Sequence, residues 1–161
     1  MFSFPKLFNK AAPTELLTSR LFDETTFYQS FISDLDKCKE EVIIESPYIT
    51  TKRMNMLFPI FNRLIKRGVR ITVITRSPQE HGDSLAIQAE RAIQSFEALG
   101  VQVLLCTDNH HRKLAILDRK ILWEGSLNIL SQTYSREIMR RINSEVLSRE
   151  MFDFLKLGKF V

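Results

Sequence analysis

Only two cysteines occur in the 161 residues, Cys38 and Cys106, and they show no CxxC spacing. That excludes a disulfide framework and a zinc ribbon, and leaves two buried thiols of a reducing compartment as the reading. No stretch reaches the ~18 consecutive apolar residues of a membrane-spanning helix. The first ten residues interrupt their apolar content with Pro5, Lys6 and Asn9 and form no secretory core, so the expected compartment is the cytoplasm. Internal repeats, linkers and low-complexity segments are absent as well. What is present, 44% hydrophobic and 26% charged residues, is the composition of a globular domain with a real core. Twenty-three Lys and Arg against nineteen acids give a net charge of +4, which suits a polyanionic partner without requiring one.

Residues 1–20 carry Phe2, Phe4, Leu7 and Phe8 among basic and turn residues, and read as an arm lying on the domain or on a partner chain, in preference to a membrane anchor. Residues 21–161 read as a single domain. A helix is expected from Asp23, with Phe27, Phe31, Ile32 and Leu35 on one face. A buried strand at Val42-Ile43-Ile44 ends at Ser46-Pro47-Tyr48. A second helix turns Leu57, Ile60, Phe61, Leu64 and Ile65 inward and closes at Gly68, a left-handed cap. Val69 to Thr75 is the next strand, residues 77–84 a loop, Ala89 to Leu99 a helix closed by Gly100, and Val101 to Leu105 a strand. Helices alternating with fully apolar strands imply an α/β fold with parallel crossovers and helices on both faces of the sheet. The second half, with strands at Lys113 to Leu117, Ile121 to Trp123 and Glu137 to Ile142 and a helix from Val146 to Leu155, is spaced too tightly for crossovers. The whole is therefore expected to be a mixed, mostly parallel sheet.

His111, Lys113 and Asp118 fall into the pattern H-x-K-x4-D. Six residues later follow Gly125, Ser126 and Asn128 as G-S-x-N. Six specified positions at fixed spacing match by accident with odds on the order of one in a million. In an extended chain, residues two apart share a side, so His111 and Lys113 project together while Leu114 and Ile116 enter the core. A neutral imidazole beside an ammonium suits attack or proton transfer at a phosphorus whose oxygens the ammonium neutralises. Gly125 permits close backbone approach, and the Ser126 hydroxyl and Asn128 amide can donate to nonbridging phosphate oxygens.

On these motifs, and on Ser46-Pro47-Tyr48 at the first strand's end, the chain resembles the phospholipase D superfamily over residues 23–155. The resemblance implies a phospholipase D-like α/β/α sandwich and phosphodiester cleavage through a covalent phosphohistidine. His111 would be the nucleophile, Lys113 and Asn128 the phosphate ligands, and Ser126 a support of the phosphate pocket. Asp118 would orient or hold the structure, and Glu137 would be the acid hydrogen-bonded to the nucleophilic imidazole. The family's chemistry uses two imidazoles and this chain carries one motif, so a twofold homodimer with a shared site is implied. No metal and no cofactor are called for. Short single-motif members include nonspecific nucleases, which makes DNA or RNA the expected substrate. A phospholipid is the alternative, and a noncatalytic nucleic-acid-binding module the third reading.

Other groups receive ordinary readings. His110 should face away from His111, and His81 reads as a surface loop residue. Cys106, Asp108, His110 and His111 lack the spacing of a zinc site. Lys52, Arg53, Arg63, Lys66, Arg67, Arg70, Arg140 and Arg141 form basic clusters that read as a solvated face, with some of them expected to line a nucleic-acid track if the chain is a phosphodiesterase. Trp123 reads as a core or interface residue rather than a base-stacking platform.

Overall fold

The computed structural model describes residues 18–160. The Phe-rich stretch of the expected arm therefore lies outside the described residues, whereas Ser19 and Arg20 belong to the fold. Seven strands form one sheet: β1 (Ser19–Asp23), β2 (Glu41–Glu45), β3 (Arg70–Arg76), β4 (Gln102–Cys106), β5 (Leu114–Leu117), β6 (Ile121–Gly125) and β7 (Ile138–Asn143), in the order β1-β7-β6-β5-β2-β3-β4. Four helices cover it: α1 (Phe27–Leu35), α2 (Thr51–Lys66), α3 (Asp83–Leu99) and α4 (Glu145–Phe154).

The sheet is mixed but mostly antiparallel, which corrects the expectation of a mostly parallel one. Only the β2–β3 and β3–β4 pairs are parallel, each bridged by a helix as a crossover requires. The other four pairs are antiparallel. Two causes decide this. The β5–β6 hairpin inserts against β2, and β1 adds an antiparallel edge alongside β7, more than a hundred residues away in sequence. The residues of β1 were read as the end of an arm and the start of a helix. Its side chains are half-exposed and its partner is remote, so nothing local marks it as a strand. The helix begins at Phe27 instead of Asp23. Asp23 occupies the turn before it, where its Oδ1 accepts from the backbone N–H groups and hydroxyls of Thr25 and Thr26.

Burial explains the layers. All five residues of β2 are buried, as an interior strand covered on both faces demands. Alternation along the strands sends Val42, Ile44, Ala115, Leu117, Trp123 and Met139 to one face, under α1, α2 and α3. Ile43, Leu114, Ile116, Leu122 and Ile142 go to the other, where Phe152 of α4 and Leu157 of the following turn cover them. Gly68 and Gly100 end α2 and α3 in the left-handed region, at φ 82° and 102°. The two cysteines are unbridged, Cys38 buried and Cys106 half-buried.

Trp123 is fully buried within Phe22, Phe27 and Phe31, with ring centroids 4.9, 5.2 and 6.0 Å away. Burying aromatic groups of this size contributes roughly 1.5–3 kcal/mol each. The indole N–H would be a buried orphan without Asp34 of α1, whose Oδ2 accepts it at 3.0 Å. The same carboxylate takes two bonds from Arg141 of β7, at 2.6 and 3.1 Å. One acid thus ties α1 to β6 and β7. Asp34→Ala should lower the unfolding free energy by about 2–4 kcal/mol, because it strands an indole N–H and a guanidinium together. A urea midpoint within error of wild type would show that the tie is dispensable.

Candidate active site

The chain reaches His111 through an irregular segment, residues 107–113, between β4 and β5. Asp108 and Asn109 both adopt left-handed backbone, φ 63° and 57°, which short polar residues tolerate better than others. Residues after β3 brace this turn. Glu80 Oε1 accepts the Asp108 N–H at 2.9 Å, and Arg76 donates to Glu80 Oε2 at 2.7 Å and to Asn109 Oδ1 at 2.8 Å. Arg76 also donates to the Tyr48 hydroxyl at 3.3 Å, and the Tyr48 ring meets His111 edge-on with centroids 6.0 Å apart.

Beyond this turn successive side chains part company. His110 and Arg112 turn toward Glu45 at the end of β2, where Arg112 Nε lies 2.7 Å and His110 Nε2 3.6 Å from the buried Oε2. His111 and Lys113 face each other, the Lys113 ammonium 2.9 Å from His111 Nδ1 and donating to the His111 carbonyl at 2.6 Å. The ladder of β5 starts only at Leu114, so the pair sits just ahead of the strand, yet alternation holds as expected. An ammonium carries only donors, so Nδ1 is the acceptor and the proton of the neutral ring lies on Nε2. Lys113 lowers the pKa of His111 below the ordinary imidazole range, with desolvation and Arg76 adding to the effect. Desolvation in turn lowers that of Lys113, opposed by Glu137. The result is a neutral imidazole beside a cation.

Gly125, at the end of β6, is fixed by crowding: a Cβ there would stand 2.2 Å from the Ile138 carbonyl oxygen and 2.9 Å from Met139 Cα. Ser126 continues this contact, its N–H donating to the Ile138 carbonyl and its Oγ accepting the Ile138 N–H. The hydroxyl proton is left to donate. The Asn128 main chain accepts from Ser131 and Gln132, while its buried Oδ1 has no hydrogen-bond partner among the described residues.

Asp118 lies at the opposite end of β5 from His111. It begins a turn in which Asp118 and Arg119 are both left-handed, φ 49° and 50°. Its carboxylate accepts the backbone N–H groups of Lys39, Glu40 and Glu41, each at 2.9 Å. Those bonds dock the hairpin on the start of β2. Glu137 was expected to hold the imidazole, but its Oε1 accepts the Ser135 hydroxyl at 2.8 Å and its influence falls on Lys113. No hydrogen bond joins Glu137 to His111 among the described residues.

Apart from Glu45 Oε2, which Arg112 meets, eight buried side-chain polar atoms make no hydrogen bond among the described residues, and seven of them belong to Glu45, Thr50, Thr75, His81, His110 and Asn128. These positions collect where β2 and β3 end and around the histidine segment. Such groups are the ones that a water, an ion or a substrate would satisfy. Sequence reasoning missed Glu45, Thr75 and Arg76 as members of this neighbourhood. Only the approach of Ser46-Pro47-Tyr48 to the motif hinted at Glu45. His81 departs from its reading as a surface residue: it lies in a loop, but both ring nitrogens are buried and the ring packs on Tyr48 at 5.0 Å. Burial lowers its pKa. No three His, Cys, Asp or Glu side chains are arranged to hold a metal among the described residues.

A groove of about 530 Å³ opens beside the pair, lined by His111, Lys113, Gly125 and Arg140 and walled by Leu21, Ile138 and Phe154. These three apolar residues are 61%, 61% and 79% exposed. A larger hollow, about 770 Å³, lies at Arg20, Lys37 and Arg141 and touches none of the motif residues. Several of the basic residues named from sequence are committed elsewhere: Arg63 pairs with Asp36, Arg70 with Glu41 and Arg141 with Asp34, and Arg67 donates to the Asp36 and Cys38 carbonyls.

Lys113→Met removes the largest cause of the His111 depression. The His111 Cε1–H resonance should then titrate at higher pH than in the wild type. A midpoint that stays put or falls would mean that the two side chains do not meet in solution.

The geometry agrees with comparisons to known proteins. The family model described as "Cardiolipin synthase, PLD-like domain" matches residues 31–155. No curated protein matches the chain. Among solved structures, Nuc from Salmonella typhimurium, a phospholipase D family member, is similar with a TM-score of 0.69 at 17% identity, over 86% of this chain and 91% of that one. NucT from Helicobacter pylori gives 0.63 at 17% identity over 86% and 92%. Phosphatidylserine synthase from Haemophilus influenzae gives 0.63 at 16% identity, over 83% of this chain and 37% of that protein. At these identities the structures speak for the fold, and the family match extends across most of the sequence. The chain belongs to the phospholipase D-like domain family.

Proposed function

We propose that this protein is a phosphodiesterase, an endonuclease that cuts DNA or RNA through a phosphohistidine without a metal, at a site completed by a second copy of the chain. The observation that carries the reading is the neutral His111 imidazole held against the Lys113 ammonium beside the groove. A phosphate entering there would draw Lys113 onto its oxygens and release Nδ1. The Nδ1–H tautomer, with Glu137 as proton acceptor, would then present an unprotonated Nε2 to phosphorus. Nε2 attacks, the phosphorus–oxygen bond to the leaving group breaks, and the protonated His111 of the second copy gives that oxygen its proton. Water, deprotonated by the same second imidazole, then displaces phosphorus from Nε2 and restores both rings. Lys113, Ser126 and Asn128 of both copies would stabilise the charge on the nonbridging oxygens. Asp118 is a positioning residue in this scheme, acting through the β5–β6 hairpin.

Two features support a shared site. One motif supplies one imidazole, and Leu21, Ile138 and Phe154 expose an apolar surface on the rim of the same groove, where a twofold contact would cover it. The apolar wall also favours a second reading, in which the substrate is a phospholipid whose chains lie along it. Release of a headgroup from mixed vesicles, with no nucleic-acid cleavage, would select that reading.

His111→Ala should abolish cleavage of labelled oligonucleotides, a loss of at least about a thousandfold, while EDTA leaves the wild type active. Robust cleavage by the variant, or inactivation on chelation, contradicts the mechanism. Size-exclusion chromatography with light scattering should give the mass of two chains; an active monomer contradicts the shared site.

A further inference from the structure

Tyr134 is the most exposed large apolar side chain among the described residues, at 89%. Its exposure is imposed by its neighbours. Gln132 is buried, accepts Arg53 Nε at its carbonyl at 2.7 Å, and donates to the Ser135 carbonyl at 2.7 Å. Ser135 in turn donates to Glu137. Residues on both sides of Tyr134 are thus pinned, and the ring stands exposed on a braced loop. A ring held in this way presents a free face on which a planar ligand can stack.

The ring's surroundings indicate what that is. Lys52 Nζ lies 5.8 Å from the ring centroid, within the range of a cation–π contact. Lys52 and Arg53 occupy the first turn of α2, which contains no acid. Cations at a helix start oppose the helix dipole, so this turn is locally positive and complements an anion. Arg136 adds a third cation two residues beyond the ring. An aromatic face beside uncompensated positive charge is the chemistry that receives a nucleobase and its phosphate, and is a poor match for an acyl chain.

Both chain segments that supply this pair lead back to the site. Tyr134 precedes Glu137 by three residues, a span of at most about 11 Å, and Lys52 follows Tyr48, whose ring abuts His111, by four. Lys52 belongs to α2, which packs on one face of the sheet, and the Tyr134 ring lies beside it.

We propose that Tyr134 and Lys52 form a subsite for a nucleotide flanking the scissile phosphate, and that it selects single-stranded nucleic acid. The proposal rests on the nuclease reading above. A base stacks on Tyr134 only if its face is free, which pairing within a duplex prevents, while Lys52 meets the adjoining phosphate.

The test compares full-length wild type, Tyr134→Ala and Tyr134→Trp on a single-stranded 15-mer, the same sequence as a duplex, and bis(4-nitrophenyl) phosphate, which carries no base. Wild type should cleave the single strand in preference to the duplex. Tyr134→Ala should raise KM for the single strand about tenfold more than for the small diester, within the range of a lost stack, and Tyr134→Trp should restore it. Equal changes on both substrates, or conversion of a wild-type dimer to a monomer by Tyr134→Ala, would overturn the subsite and leave the nuclease reading standing. Cleavage of the small diester with no cleavage of either nucleic acid would overturn both.

Discussion

The site depends on the register between β5 and β2. In this register Leu117 faces Val42 and Leu114 faces Glu45. It is locked at one end by the Asp118 carboxylate on three consecutive backbone N–H groups, and at the other by the Arg112–Glu45 ion pair. A slip of one residue would turn Leu114 and Ile116 toward the wrong layer and send His111 and Lys113 toward Glu45. The two locks lie on either side of the motif's own apolar run, Leu114 to Leu117, whose burial gives that register its energy.

Charge at the site follows from this placement. His110 and Arg112 are spent on a buried acid, and desolvation raises the Glu45 pKa against the pull of Arg112. His111 then has only cations close by, Lys113 and, farther off, Arg76, and its neutral form is favoured. The same alternation that sorts side chains into two layers in the sheet separates the Arg112–Glu45 ion pair from the His111–Lys113 pair in the segment preceding it.

Much of this was legible in the residues. The spacing of His111, Lys113, Gly125, Ser126 and Asn128 pointed to one neighbourhood, and the apolar centre of β2, Val42 to Ile44, and the periodic faces of α2 and α3 were plain. What escaped notice was what distance decides. β1 is a strand because β7 lies beside it, and the sheet is mostly antiparallel because the β5–β6 hairpin chose β2 as its neighbour. Glu45 looked like the polar end of a strand, and its burial depends on two residues more than sixty positions later. Arg76 and Glu80 drew no reading from the sequence, since their partners Asp108 and Asn109 lie in a turn whose left-handed backbone no local pattern announced. Glu137 was assigned from the family resemblance and its spacing after the G-S-x-N, and neither reveals that Ser135 donates to its carboxylate.

The brace of Arg76 on Glu80 is well sheltered, with side chains 13% and 26% exposed. Mobile ions screen open charges far more than enclosed ones. Rising ionic strength will therefore weaken open pairs such as Arg63–Asp36, whose side chains are 53% and 41% exposed, well before it loosens the turn that carries His111. The placement of His111 is thereby insulated from the salt around it.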